Sequence, residues 1–178
     1  MSFNLPNALA FSRVLMAPLM FIFLVQRDWF SGIHPSWLDY YAALIFVLAS
    51  VTDFFDGFIA RRWNQMTKLG AILDPLADKM LTLAAFLGLV LIDRANVWAV
   101  YLILTREFFI TGLRVMAVGE GRNIAASMAG KTKTVFQMIA IGFLIMDWPL
   151  GTAFLWFSVA LTLYSGWEYI RDYTKGEN

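Results

Sequence analysis

An all-α, polytopic membrane protein with six transmembrane helices in one bundle is the architecture this sequence predicts, and three observations carry that expectation. Of the 178 residues, 60% are hydrophobic and only 15% are charged, whereas a soluble domain of this size sits nearer half apolar and a quarter charged. The apolar residues come in runs of about 20, the length a helix needs to cross a bilayer. The connections between runs are short and leave no room for a soluble domain, so residues 1–178 read as one membrane domain.

The six runs are 7–25, 38–59, 69–92, 97–118, 125–146 and 150–170. The first carries Arg13 inside it and has neither a basic leading segment nor a small-x-small cleavage site, so it is read as a retained span rather than a signal peptide. The second ends on Asp53 and Asp56, shortly before Arg61 and Arg62. The third opens on Gly70, Asp74, Pro75 and Asp78; proline is tolerated in a first turn, so regular helix is expected to begin close to Asp74. The fourth holds Arg106, Glu107 and Arg114, and the fifth is free of charge only from Thr134 onward. After the sixth, the tail 173–178 is expected to be disordered. The chain has no cysteine, which removes disulfides and thiolate metal sites from consideration. His34 stands alone in a loop and is read as having no catalytic role.

Charge sets the orientation. Arg61, Arg62, Lys68, Arg122, Lys131, Lys133, Arg171 and Lys175 fall on one side of the spans, and only Arg27 and Arg94 on the other. By the positive-inside rule both termini and the second and fourth loops are cytoplasmic, in a multi-pass inner (cytoplasmic) membrane protein. Trp29, Trp37, Trp98, Trp148 and Trp156 gather near the opposite face, as interfacial anchors do.

Four carboxylates inside this apolar frame pose the main question. Asp53 and Asp56 are three apart near the end of the second span, and Asp74 and Asp78 four apart near the start of the third, so each pair shares a helix face. A rise of about 1.5 Å per residue puts Asp53 and Asp78 roughly 12 Å below Arg61 and Gly70, with Asp56 and Asp74 nearer the surface. If the two helices are antiparallel neighbours, the four converge just inside the cytoplasmic face. Four such charges, partly out of water, need protonation or bound cations to coexist. Oxygen-only donors suit Mg²⁺, or Mn²⁺ as the alternative, and two divalent ions would balance the four charges. The competing structural reading makes these aspartates helix caps and surface charges balanced by Arg61, Arg62, Lys68 and Lys79. Intramembrane carboxylates in register favour the functional reading.

The pattern Asp53-x2-Asp56-Gly57-x2-Ala60-Arg61-x8-Gly70-x3-Asp74-x3-Asp78 resembles the complete signature of the CDP-alcohol phosphatidyltransferases. That resemblance implies a six-helix membrane enzyme, commonly a homodimer, that moves a phosphatidyl group from CDP-diacylglycerol to an alcohol and releases CMP. It implies that Asp53 and Asp74 bridge two metal ions, that Asp56 serves one and Asp78 the other, and that Asp78 is also the general base. It places Gly57, Ala60, Arg61, Thr67 and Gly70 around the CDP portion, with the Arg61 guanidinium suited to the diphosphate. The stretch NALAFSR, Asn7 to Arg13, is similar to the family's Asn-x-Leu-Thr-x-x-Arg segment on the nucleotide side, with Ala10 where threonine is usual. For Asn7 and Arg13 the structural alternatives are a helix N-cap and a snorkelling arginine.

The acceptor is read from the second half. Arg106 and Arg114 are eight apart on the fourth span, hence on roughly one face. Arg106 lies near mid-membrane, where Glu107 or the aspartate site would have to balance it. Lys131 and Lys133 stand at the mouth of the fifth span. Arg106, Arg114, Lys131 and Lys133 together suit the phosphate of a phosphorylated acceptor. The structural alternatives are internal pairing for the arginines and ordinary positive-inside or lipid-attracting charge for the lysines. The "TRE…LR" and "GKTKT" patterns resemble the glycerophosphate-using branch of the family, which implies glycerol 3-phosphate as acceptor. Siblings with the same core use serine, inositol phosphate or phosphatidylglycerol. A cation transporter is the competing class, but the paired broken helices in repeated halves that it would show are not in the sequence. Membrane lipids are expected partners, and nucleic acid is not.

Overall fold

The computed structural model describes residues 5–62, 68–119 and 128–175, with the side chains of 5–10, 53–62, 68–76, 78, 118 and 175 outside the described set. Among the described residues there are six α-helices and no strand: α1 Leu5–Val25, α2 Pro35–Arg62, α3 Lys68–Leu91, α4 Val97–Gly119, α5 Met128–Ile145 and α6 Gly151–Lys175. A single 3-10 turn, Arg27–Phe30, follows α1. Each of the six apolar runs thus becomes a helix, with α2 longer than its run at both ends and α5 starting later than expected.

Two boundaries differ from expectation. Helix α3 starts at Lys68, not beside Asp74, so Pro75 lies well inside it. A helix interior proline removes one donor and crowds one carbonyl, and Pro18 likewise sits inside α1. At the other end, α6 continues through Tyr173 and Thr174 to Lys175, where the tail was expected to be disordered. The Thr174 hydroxyl donates to the Arg171 carbonyl at 3.0 Å and helps close that last turn.

Helix ends follow local chemistry. The Asn96 side chain accepts the backbone N–H of Trp98 at 3.0 Å and of Ala99 at 3.2 Å, capping α4. His34 Nδ1 accepts the N–H of Ser36 at 3.3 Å ahead of α2, which gives the lone histidine a local structural role. Asp93 takes φ 57° after α3, and the bonds Arg94 N–H to Leu89 and Asp93 N–H to Val90 complete a left-handed helix stop.

The chain divides into two compact units, Met1–Arg94 with Leu144–Trp148, and Ala95–Phe143 with Pro149–Asn178. In the first unit α1 packs against both α2 and α3, which also meet each other. Its interior is a set of helical lines: Arg13, Ala17, Met20 and Leu24 on α1, Leu38, Ala42, Phe46 and Ala49 on α2, and Ala77, Leu81, Ala85 and Leu89 on α3, all buried. Steps of three and four keep each line on one face. Gly88 lets α3 approach α1 closely, since a Cβ there would lie 3.1 Å from Leu24 Cδ1.

One buried carboxylate ties the loops of this unit together. Asp39 Oδ1 accepts Arg27 Nη2 at 2.5 Å, and its Oδ2 accepts Arg94 Nη2 at 2.9 Å. Arg27 Nε also donates to the Leu24 carbonyl at 3.1 Å, and Arg94 Nη1 to the Ile145 carbonyl at 2.5 Å. The two arginines counted as outer loop charges are therefore the two partners of Asp39.

In the second unit α4 packs along α6. Aromatic pairs join α5 to α6, Phe136 with Phe157 at 4.7 Å and Phe143 with Phe154 at 4.9 Å between ring centroids. The buried face of α6 mixes apolar Leu155, Val159 and Tyr169 with small polar Ser158, Thr162 and Ser165, and small residues of this kind let helix backbones approach closely.

Candidate functional site

The aspartate motif lies on continuous helix. Asp53 and Asp56 belong to α2, and Asp74 and Asp78 to α3, so the spacing that puts each pair on one face applies to regular helix throughout. The register is informative. Continuing the buried α2 line Phe46 and Ala49 by steps of four and three reaches Asp53 and Asp56. Running the α3 line Ala85 and Leu81 back by steps of three and four reaches Asp78 and Asp74. The side chains of Asp53, Asp56, Asp74 and Asp78, with those of Asn7, Gly57, Ala60, Arg61 and Gly70, lie outside the described residues, as does Thr67 entirely. Among the described side chains no group of three or more His, Cys, Asp or Glu could hold a metal ion. By residue type alone, an oxygen-only set of four carboxylates fits hard divalent cations.

Arg13 sits on the interior line of α1 and is wholly buried. That burial corrects the snorkelling alternative, because a snorkelling head group reaches water.

The second unit concentrates its charge at one point. Lys133 Nζ and Arg106 Nη1 both donate to Glu107 Oε1, the latter at 3.4 Å. Arg106 Nη2 donates to Ser165 Oγ at 2.9 Å. The Ser165 hydroxyl donates in turn to the Thr162 carbonyl at 3.1 Å, and Gln137 Nε2 donates to Thr162 Oγ1 at 3.0 Å. Lys133 and Arg106 are nearly enclosed, with side chains 7% and 11% exposed. Two cationic side chains and one carboxylate thus meet in a poorly hydrated place, where charges interact more strongly than in water.

The four residues expected to hold an acceptor phosphate thus separate. Arg106 and Lys133, 27 positions apart in the chain, meet on one carboxylate. Arg114 is exposed, its guanidinium carbon 5.9 Å from the Tyr169 ring centroid. Lys131 is exposed and has no described partner. The sequence reading missed Ser165 and Gln137; their signal was a row of uncharged polar residues at helical spacing inside otherwise apolar runs.

Comparison with known proteins gives a family and relatives of one name. A profile of the CDP-alcohol phosphatidyltransferase family matches residues 3–164. The chain is similar to a protein of Bacillus subtilis strain 168 named CDP-diacylglycerol–glycerol-3-phosphate 3-phosphatidyltransferase, 41% identical over 180 residues that cover 94% of this chain and 93% of the relative. An Escherichia coli K12 protein of the same name is 38% identical, covering 96% and 94%. A third of that name, from Cereibacter sphaeroides, is 32% identical and covers 99% and 100%.

Proposed function

This chain belongs to the CDP-alcohol phosphatidyltransferase family, and from that premise we propose that it transfers the phosphatidyl group of CDP-diacylglycerol to the sn-1 hydroxyl of glycerol 3-phosphate. The products are phosphatidylglycerophosphate and CMP, and the place in metabolism is phospholipid biosynthesis. The observation that carries the reading is near full-length similarity to relatives bearing that activity in their names, together with an unbroken aspartate signature.

The acceptor oxygen attacks the phosphorus that carries diacylglycerol, and the bond from that phosphorus to the bridging oxygen of the diphosphate breaks as CMP leaves. Asp78 takes the proton of the attacking hydroxyl, a general-base role that requires hydrogen-bond reach to that oxygen. Asn7, Gly57, Ala60, Arg61, Thr67 and Gly70 hold the CDP portion, with Arg61 on the diphosphate. Two Mg²⁺ ions, or Mn²⁺, held by Asp53, Asp56, Asp74 and Asp78, would neutralise the diphosphate and the leaving group. Arg106 and Lys133 are the acceptor's phosphate ligands, with Arg114 and Lys131 as outer contributors. The meeting of the nearly enclosed Arg106 and Lys133 on one carboxylate supports this part of the reading.

The setting we propose is the inner membrane, with six spans, cytoplasmic termini, a cytoplasm-facing active site and a homodimer. One described stretch, Pro35–Thr52, is long and apolar enough to cross a membrane, and Phe11–Val25 and Lys79–Leu91 are shorter apolar segments. Leu44, Val47, Leu48 and Val51 are exposed on α2, and Trp29, Trp37, Trp98, Trp148 and Trp156 are exposed as well. Lipid is the natural partner for such a surface.

The test is CMP release by the purified protein supplied with CDP-diacylglycerol, Mg²⁺ and a panel of acceptors. Turnover is expected with glycerol 3-phosphate. Preference for serine would move the protein to a sibling activity, and no turnover with any acceptor would remove the transferase reading. Asp78→Asn is expected to abolish transfer while the protein remains folded, checked by size-exclusion chromatography and thermal unfolding in detergent.

A further inference from the structure

Arg106 shares Glu107 Oε1 with Lys133 and is held on its other side by α6. A guanidinium has no acceptor, so in the 2.9 Å contact between Arg106 Nη2 and Ser165 Oγ the serine must accept. Its single proton is already committed to the Thr162 carbonyl at 3.1 Å. The hydroxyl is thereby oriented with its lone pairs toward the arginine before any ligand arrives. The next residue completes the seat. A methyl group on Gly166 would lie 3.3 Å from both Cγ and Nε of Arg106, so the arginine stem crosses α6 at the one position where its neighbour has no side chain. Glycine inside a helix carries a propensity cost, and here its bare backbone makes the room that Arg106 occupies. One terminal nitrogen is thus anchored on Glu107 and the other on Ser165, while Nε, buried against Gly166, has no partner among the described residues.

We infer that Ser165 and Gly166 are positioning residues of the acceptor site, which fix the guanidinium of Arg106 so that its remaining donors meet the acceptor phosphate without rearrangement. This rests on the reading that Arg106 is a phosphate ligand. A guanidinium held in place loses little freedom on binding an anion, and the benefit appears as affinity for the acceptor. Neither residue touches the reacting atoms. Their influence runs through Arg106 alone, which separates the idea from a general packing role for small residues between α4 and α6.

The experiment measures CMP release by the full-length protein against glycerol 3-phosphate at saturating CDP-diacylglycerol, and the reverse. Ser165→Ala, which removes a hydrogen bond to a charged group, is expected to raise KM for glycerol 3-phosphate about tenfold. Gly166→Ala, which displaces the stem by a few tenths of an ångström, is expected to raise it about threefold, in line with the sensitivity of bound geometry to small misplacement. KM for CDP-diacylglycerol should not move. In an Arg106→Gln background, neither substitution should change KM for glycerol 3-phosphate further, because the group they act through is gone. An unchanged KM in both single variants, or the full effect persisting in the Arg106→Gln background, would overturn the inference while leaving the acceptor site standing. A normal KM in Arg106→Gln itself would remove the acceptor role of that arginine and the inference with it. A purely structural role would lower the unfolding temperature and kcat without this selective rise, and would equally overturn it.

Discussion

Asp39 and Glu107 are each a carboxylate between two cationic side chains, yet the two clusters are built for different ends. Asp39 spends one oxygen on Arg27 and the other on Arg94, and backbone carbonyls of Leu24 and Ile145 take up further donors of the same arginines. The result is a closed fastening of loops to helix ends. Glu107 receives Arg106 and Lys133 on a single oxygen, and Arg106 keeps a buried Nε without a described partner. The two clusters differ in how the carboxylate is shared: Asp39 gives each arginine its own oxygen, whereas Arg106 and Lys133 share one oxygen of Glu107 beside a buried Nε that suits an anion.

The largest expected effect breaks the first cluster. Asp39→Ala leaves two partly buried arginines facing each other without their counter-ion and should destabilise the protein by about 3–5 kcal/mol. Thermal unfolding in detergent would show it, and any protein that remains folded should keep its KM for glycerol 3-phosphate. A stable Asp39→Ala protein would mean that the loop fastening is dispensable. Next in size, Lys133→Ala should leave unfolding close to that of the parent but raise KM for glycerol 3-phosphate about tenfold or more, as expected for a hydrogen bond to a charged group. An unchanged KM would return Lys133 to a structural partner of Glu107. The smallest effect sharpens the contrast between enclosed and exposed lysines. Lys131→Ala, on a solvated surface, should shift that KM by no more than about twofold, because exposed pairs contribute little. A shift equal to that of Lys133→Ala would show that burial is not what distinguishes them.

Much of the helical frame was legible from local pattern. The apolar runs 97–118 and 69–92 became α4 and α3 within a residue or two except where Pro75 argued for a later start, because apolar periodicity and length act over neighbouring residues whereas one proline is a single local term. The aspartate pairs could be placed on shared faces for the same reason. The fate of individual charges was less legible. Arg27 and Arg94 read as outer loop charges when counted along the chain, yet both pair with Asp39, 12 and 55 residues away.

The sequence by itself determined where helices form, how their carboxylates are spaced and which family they belong to, because backbone periodicity and motif spacing need no knowledge of a neighbour. Only the tertiary structure decided which charges meet. Lys133 finds Glu107 across 26 residues, and Arg106 finds Ser165 across 59, and neither encounter follows from either helix alone. Such contacts depend on how helices are rotated and how deeply they are set against one another. Packing of whole apolar faces fixes that rotation and depth, and the polar residues then meet where the packing leaves them.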